Sequence, residues 1–264
     1  RWIHLGPLFF QPAEFAKLAL VLYLAAWAAK KQKTHDDNFV FNVLPSLVIV
    51  GLFAGLILWQ PDFGTMSILI ATSAVMLFVS GLSLKHFLSL ATTGALLLLL
   101  LIKFEPYRYQ RLISFLNPGF DPQGTGYQIS QALLAIGAGG LWGYGYGLSR
   151  QKYNYLPEPM GDSIFAIPAE ELGCIRVLFL LTLFVLLFLK GFQTAKKAPD
   201  TFGKITAVGI SSWIILQAFI NIGSMAGILP LTGVPLPFFS YGSSSMLVTL
   251  SAMGILLNIS KQTK

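Results

Sequence analysis

The sequence predicts an all-α, polytopic membrane helix bundle, and three observations carry that prediction. Hydrophobic residues make up 55% of the 264-residue chain and charged ones only 11%, with a mean hydropathy of +0.68, the balance of a chain solvated by lipid. Charges leave long gaps: residues 39–61, 63–84, 87–102 and 177–189 contain no Asp, Glu, Lys or Arg, and neither does the whole of 205–260. Connections alternate in character, because 30–38, 81–85, 190–204 and 260–264 together hold ten Lys and no Arg, which marks that side as cytoplasmic.

A spanning helix needs roughly 20 apolar residues, and the gaps accommodate seven spans in this chain, at 14–29, 40–58, 63–80, 86–103, 174–191, 205–226 and 244–259. The first opens in "QPAEFAKL", where Glu14 and Lys17 stand i,i+3 and predict an ion pair at the membrane boundary, either structural or part of a pathway. The second follows the basic "KKQKTHDDN", and the third follows "WQPD", with Pro61 and Asp62 suited to opening a helix. Between the fourth and fifth lies 104–173, a large extracytoplasmic loop too long and too apolar for a plain connector. Its stretch 124–147 predicts a short amphipathic or re-entrant helix from Ile129 to Ile136, then glycine-rich backbone that turns back toward the bilayer. The sixth and seventh spans flank "PLTGVPLPFFSYGSSS". An odd number of spans puts the first residue outside and the last inside, and the whole of 1–264 reads as a single membrane domain.

The chain opens at Arg1 with no signal-peptide pattern and reads as the back portion of a longer protein. Cys174 is its single cysteine, which excludes an intramolecular disulfide, a thiolate zinc site and an iron–sulfur cluster. The net charge of +7 resides in short loops between apolar runs, so topology explains it and nucleic acid does not.

Polar chemistry concentrates on the outer side. With His35 and His86 cytoplasmic, only His4 outside and no G-x-S-x-G elbow, the sequence disfavours a Ser-His-Asp triad, and proton transfer rests on carboxylates, Lys or Tyr. "NYLPEPMGDSIFAIPAEELG" supplies Glu158, Asp162, Glu170 and Glu171. Asp162 is either a partly desolvated general base or the N-cap of a helix starting at Ser163. Glu170 lies near its helical face and Glu171 does not, with Arg176 as the cation to offset a carboxylate near a helix C-terminus. Arg108 and Arg111 in "YRYQRL", with Arg150 and Lys152 in "SRQKYNY", suit a phosphate or pyrophosphate, or else snorkel toward lipid head groups. Ser240 and Ser244 sit where a helix start either favours an anion or is serine-capped.

Taken together, "RWIHLGPLFFQPAEFAKL", "WQPDFGT", "YRYQRLISFLNP", "GTGYQISQALLAIGAGGLWGYGYGLSRQKYNYLPEP", "GDSIFAIPAEELG" and "LPLTGVPLPFFSYGSSS" resemble, in order and along essentially the whole chain, the SEDS family of FtsW/RodA membrane glycosyltransferases. "SRQKYNYLPEP" is nearer the division-type FtsW branch. The resemblance implies ten spans in the complete protein, of which this chain carries the last seven. It implies polymerisation of lipid II into peptidoglycan on the outer face of the bacterial cytoplasmic membrane, releasing undecaprenyl pyrophosphate with inversion. Asp162 falls on the family's essential aspartate and is implied to deprotonate the acceptor 4-hydroxyl; Glu158 and Glu171 are left as structural. Arg108, Arg111 and Lys152 are implied to face the leaving group, with a divalent cation (Mg2+ or Mn2+) as a candidate cofactor. The implied partners are the nascent glycan strand, a class B penicillin-binding transpeptidase and the division or elongation machinery, in a setting of membrane lipids. Met160–Gly161 depart from the usual residues before the aspartate, as do Ala13 and Ser243 elsewhere, and none of these removes a charge. Two other functions stay open at this stage: a lipid II flippase, suggested by the Glu14–Lys17 pair, and a scaffold for the transpeptidase.

Overall fold

The computed structural model describes residues 2–5, 8–34, 39–117, 120–121, 124–153 and 155–263. Nine helices occupy the described residues: α1 (Pro12–Thr34), α2 (Phe39–Trp59), α3 (Phe63–Val79), α4 (Leu84–Phe104), α5 (Pro106–Leu116), α6 (Thr125–Gly139), α7 (Ala166–Lys197), α8 (Thr201–Met225) and α9 (Ser243–Gln262). Every segment expected to span is helical. Four helices are long and apolar enough to cross a membrane on length and composition, namely Pro12–Lys31 within α1, α7, α8 and α9, while Val43–Trp59 and Phe63–Val79 are apolar but shorter. This is a multi-pass membrane protein. The exception to an all-helical chain is a short antiparallel pair, β1 (Ile3–Leu5) and β2 (Leu8–Phe10), in the register Ile3↔Phe10, His4↔Phe9, Leu5↔Leu8. Runs of three residues are too short to register as alternation in an apolar sequence.

The helices start and stop for local reasons. Asp62 caps α3: its carboxylate accepts from the Thr65 amide and the Thr65 hydroxyl, both at 3.0 Å. Pro106 opens α5, where a missing N–H costs nothing. Hydroxyls in apolar helices bond their own turn, as with Ser46 to Val43 O, Ser73 to Leu69 O, Thr182 to Leu178 O and Ser251 to Leu247 O, which satisfies a donor where no water competes.

The chain divides into two compact units. One unit comprises residues 1–87, 185–216 and 242–264. Its core is built by Leu20, Leu24, Ile68, Met76, Ile205, Ile210, Trp213 and Val248, all at most 3% exposed. Within it, Glu14 and Lys17 pair at 2.9 Å in α1, and the Lys17 ammonium lies 4.8 Å from the centre of the Trp213 ring. The Gln11 amide donates to Ser244 Oγ at the start of α9.

The other unit comprises residues 88–184 and 217–241, and it carries Asp162. Here α7 is interrupted at Gly173, which has φ 75° and ψ 173°, so the helix is a short piece to residue 172 and a long apolar one beyond. The glycine-rich stretch after α6 locks onto that break. Tyr144 and Gly145 amides donate to the carbonyls of Glu170 and Glu171, and those of Cys174 and Ile175 donate to Gly140 and Leu141. A Cβ at Gly143 would lie 2.2 Å from Glu171 O, and one at Gly173 would lie 2.3 Å from the Gly143 amide nitrogen. Both have positive φ, so glycine is required for conformation and for contact.

A candidate active site around Asp162

Asp162 lies in a run of turns between Met160 and Phe165, and α7 begins only at Ala166. With three positions between Asp162 and the first helical residue, Ala166, a cap of a helix starting at Ser163 does not form. The turn is fixed from three directions. Asn221 Nδ2, on α8, donates to Asp162 O at 2.6 Å and to Val234 O at 2.7 Å. Ser240 Oγ donates to Gly161 O at 2.7 Å and accepts from the Leu236 amide at 2.7 Å. The Tyr241 amide donates to Met160 O at 2.8 Å. Gln217, one helical turn before Asn221, donates to Pro235 O at 2.9 Å. The proline-rich segment 230–241 is thus laced to both α8 and the Asp162 turn by main-chain carbonyls, which proline still offers.

Two residues of this frame hold left-handed backbone without being glycine: Glu158 at φ 47° and Phe238 at φ 67°. Such conformations cost on the order of 1–3 kcal/mol and persist where surrounding contacts over-determine them. The Glu158 carbonyl accepts from the amides of Gly161 and Ser163, closing the turn that presents Asp162.

The carboxylate itself is half-buried, and its Oδ1 is shielded from solvent without a hydrogen-bond partner. Burial pushes the Asp162 carboxyl above the usual carboxylate range and the Glu158 charge adds to this, while its own backbone, a Gln128 hydrogen bond and the Arg111 charge pull it back. Gln128 Nε2, on α6, also donates to Ser163 Oγ at 2.9 Å. Arg111, on α5, donates to Leu231 O at 3.1 Å and stacks over Tyr107 at 4.5 Å. A Cβ placed on Gly233 would be 3.5 Å from Asp162 Oδ2. A desolvated carboxylate with a free oxygen, a cation in its field and a side-chain-free wall can take a proton from a hydroxyl brought against it.

The remaining residues singled out from sequence fall elsewhere. Glu170 is 1% exposed and accepts from Ser149 Oγ and the amides of Arg150 and Gln151; backbone donors neutralise it, and Arg176 instead donates to the carbonyls of Trp142 and Leu172. Lys152 pairs with Glu171 at 2.9 Å, and that hydrogen bond raises its pKa. Arg150 is exposed, with its guanidinium 5.7 Å from the Tyr144 ring centre, and Arg108 is half-exposed on α5 with Arg111. Ser240 belongs to the Asp162 frame. Ser244 belongs to the other unit, where α9 begins after Gly242 rather than a serine cap. Sequence reasoning missed Asn221, Gln217 and Gln128. A signal for the first two was present: an amide pair at i,i+4 inside the uncharged run 205–260 marks one polar helix face. Among the described residues no three His, Cys, Asp or Glu side chains gather into a metal-holding group.

Comparison with known proteins places this geometry in context. The cell cycle protein family of FtsW, RodA and SpoVE matches residues 1–264. The chain is 46% identical over 263 residues to stage V sporulation protein E of Bacillus subtilis, covering 100% of this chain and 72% of that protein. It is 42% identical over 272 residues to a probable peptidoglycan glycosyltransferase FtsW of the same organism, covering 100% and 67%. A solved peptidoglycan synthase complex, described as coordinating polymerization and crosslinking, contains a chain that aligns with TM-score 0.77 and 30% identity, over 98% of this chain and 72% of that one.

Proposed function

This chain belongs to the FtsW/RodA/SpoVE family of cell cycle proteins, and from that premise we propose that it is a peptidoglycan glycosyltransferase that polymerises lipid II, with Asp162 as its general base. The relatives at 46% and 42% identity bear the names SpoVE and FtsW, in keeping with the FtsW side of the family. One observation carries the assignment of the base: Asp162 is desolvated, unpartnered at Oδ1 and held from both sides by main-chain bonds. In the proposed step Asp162 accepts the proton of the acceptor's sugar 4-hydroxyl as that oxygen attacks the anomeric carbon of the lipid-linked donor. The bond to undecaprenyl pyrophosphate breaks on the opposite face, and the configuration inverts.

Cations stabilise such a leaving group. We assign that role to Arg108 and Arg111 on α5, with Arg150 as a more exposed contact. Lys152 contributes through its pair with Glu171, and Glu170 and Ser240 contribute by holding the loops that carry Arg150 and Asp162. Among the described residues no three His, Cys, Asp or Glu side chains gather to hold Mg2+ or Mn2+. The reading places seven spans in one membrane domain, with 104–173 and the active site on the outer face and the C-terminus in the cytoplasm. The support is the lysine distribution. By analogy with the synthase complex, a class B penicillin-binding transpeptidase is the proposed partner. The buried Glu14–Lys17 contact is a closed ion pair and is assigned a structural role.

The test is lipid II polymerisation by the membrane-reconstituted protein with its transpeptidase. Asp162→Asn is expected to lower the rate by at least about 100-fold, the lower end for a lost general base. Polymerisation at the wild-type rate by a well-folded Asp162→Asn protein would overturn the assignment.

A further inference from the structure

At the lysine-bearing ends of α7 and α9, inside one compact unit, lies a groove of about 310 Å³ that the proposed reaction does not use. It is lined by 187, 190, 191, 193, 194 and 197 on α7, by 253, 256, 257 and 260 on α9, and by Thr263 just past the end of α9. The α7 set runs about 15 Å along its helix at 1.5 Å per residue. The groove is sorted along its length. Leu187, Met253, Leu256 and Leu257 line the end toward the helix middles. Lys197, Ser260 and Thr263 line the other end, with Lys190 between, one helical turn from Leu187, and both lysines are exposed. Among the described residues no carboxylate lines it. Gly191 fixes the wall, because a Cβ there would lie 1.9 Å from Ser211 Oγ on α8, so the helices are pressed together behind the groove. Only 17% of the apolar window of α7 is buried, which leaves this helix to face lipid.

We propose that this groove binds an anionic phospholipid, with its phosphate between Lys190 and Lys197 and the upper part of an acyl chain along Leu187, Met253 and Leu257. The match is one of shape and charge together. An amphiphile has an anionic head and an apolar tail in a fixed order, and so has the groove. Basic pockets between spanning helices take anionic head groups, each lysine near the membrane surface contributing appreciably to the attraction. The hydroxyl of Ser260 and the amide of Gln193 can donate to the glycerol or phosphate oxygens.

The experiment uses the delipidated full chain in bilayers of phosphatidylcholine, with and without phosphatidylglycerol, read by native mass spectrometry of retained lipid. The wild type is expected to retain phosphatidylglycerol in preference to phosphatidylcholine. Lys190→Gln/Lys197→Gln should weaken that retention by about tenfold or more, while Lys190→Arg/Lys197→Arg keeps it. Lys85→Gln/Lys204→Gln removes two exposed lysines that do not line the groove and should leave retention unchanged. Equal retention of the two lipids, an equal loss in the Lys85/Lys204 variant, or displacement of the lipid by millimolar inorganic phosphate would overturn the proposal.

Discussion

Burial sets the working range of Asp162, and it does so with a definite sign. Because the carboxyl is raised and the proposed base is its ionised form, kcat/KM should rise with pH along an acidic limb lying above the ordinary Asp pKa of about 3.9. Arg111 holds that pKa down, so Arg111→Gln should move the limb to higher pH, whatever else it does to the leaving group; a limb that stays in place would separate Arg111 from Asp162. The same raised pKa means that ionised Asp162 opposes folding: its stabilising effect is full below the unfolded pKa and fades as pH rises through the folded one. Asn221 acts on a different coordinate. Its amide grips the carbonyl of Asp162, not the carboxylate, so Asn221→Ala should displace the base without changing its charge. A misplacement of about 1 Å costs up to about 100-fold, and the fall should appear in kcat with KM nearly unchanged. The importance of Asp162 is legible in the sequence from its neighbours Gly161 and "SIFAIPA", but its cap-or-base ambiguity is not, because only the backbone shows that α7 starts at Ala166. Asn221 is harder to foresee: an amide in an apolar helix announces a partner and does not say which.

Elements show the same division. Uncharged runs forecast every long helix but α1, which carries Glu14 and Lys17 in its opening turns, since hydropathy over about 15–20 residues is a summed signal. The path of 140–147 is not legible in that way. Its glycines announce turns, yet what orders them is backbone pairing with residues 170–175, thirty positions later in the chain. Gly173→Ala tests that pairing. An alanine at φ 75° with a Cβ 2.3 Å from Gly143 N is strained and must push the strand away. Destabilisation on the order of 1–3 kcal/mol is expected, measured as a lower melting temperature in detergent, with the polymerase activity falling alongside it. Glu170 and Glu171 complete the joint by accepting from Ser149, Arg150, Gln151 and Lys152. Four carboxylates that look like one acidic cluster in sequence thus separate into the proposed base Asp162, a turn residue in Glu158 whose carbonyl accepts from Gly161 and Ser163, and two loop anchors.

Across the molecule, among the described residues, charge is rationed, and the buried charges Glu14, Lys17, Asp62, Glu170 and Glu171 all have hydrogen-bond partners. In the unit that lacks Asp162, Glu14 is 0% and Lys17 3% exposed, so removing Lys17 leaves a buried carboxylate without its ion-pair partner. Lys17→Met should cost about 3–5 kcal/mol, and adding Glu14→Gln should recover most of it, as read from thermal unfolding in micelles; equal losses for the single and double variants would show that the pair is not coupled. The i,i+3 spacing made this pair legible. The lysine-lined groove was not, because its two faces lie more than sixty residues apart and become one surface only when α7 and α9 end side by side. The joint at Gly143 and Gly173 has a further consequence. It is made from main-chain atoms, which are common to all residues, so it is nearly blind to side-chain identity once the two glycines are present. Mutational drift at Leu141, Trp142 or Tyr144 can therefore change what the outer surface displays to a partner while the register between the loop and α7 is inherited intact.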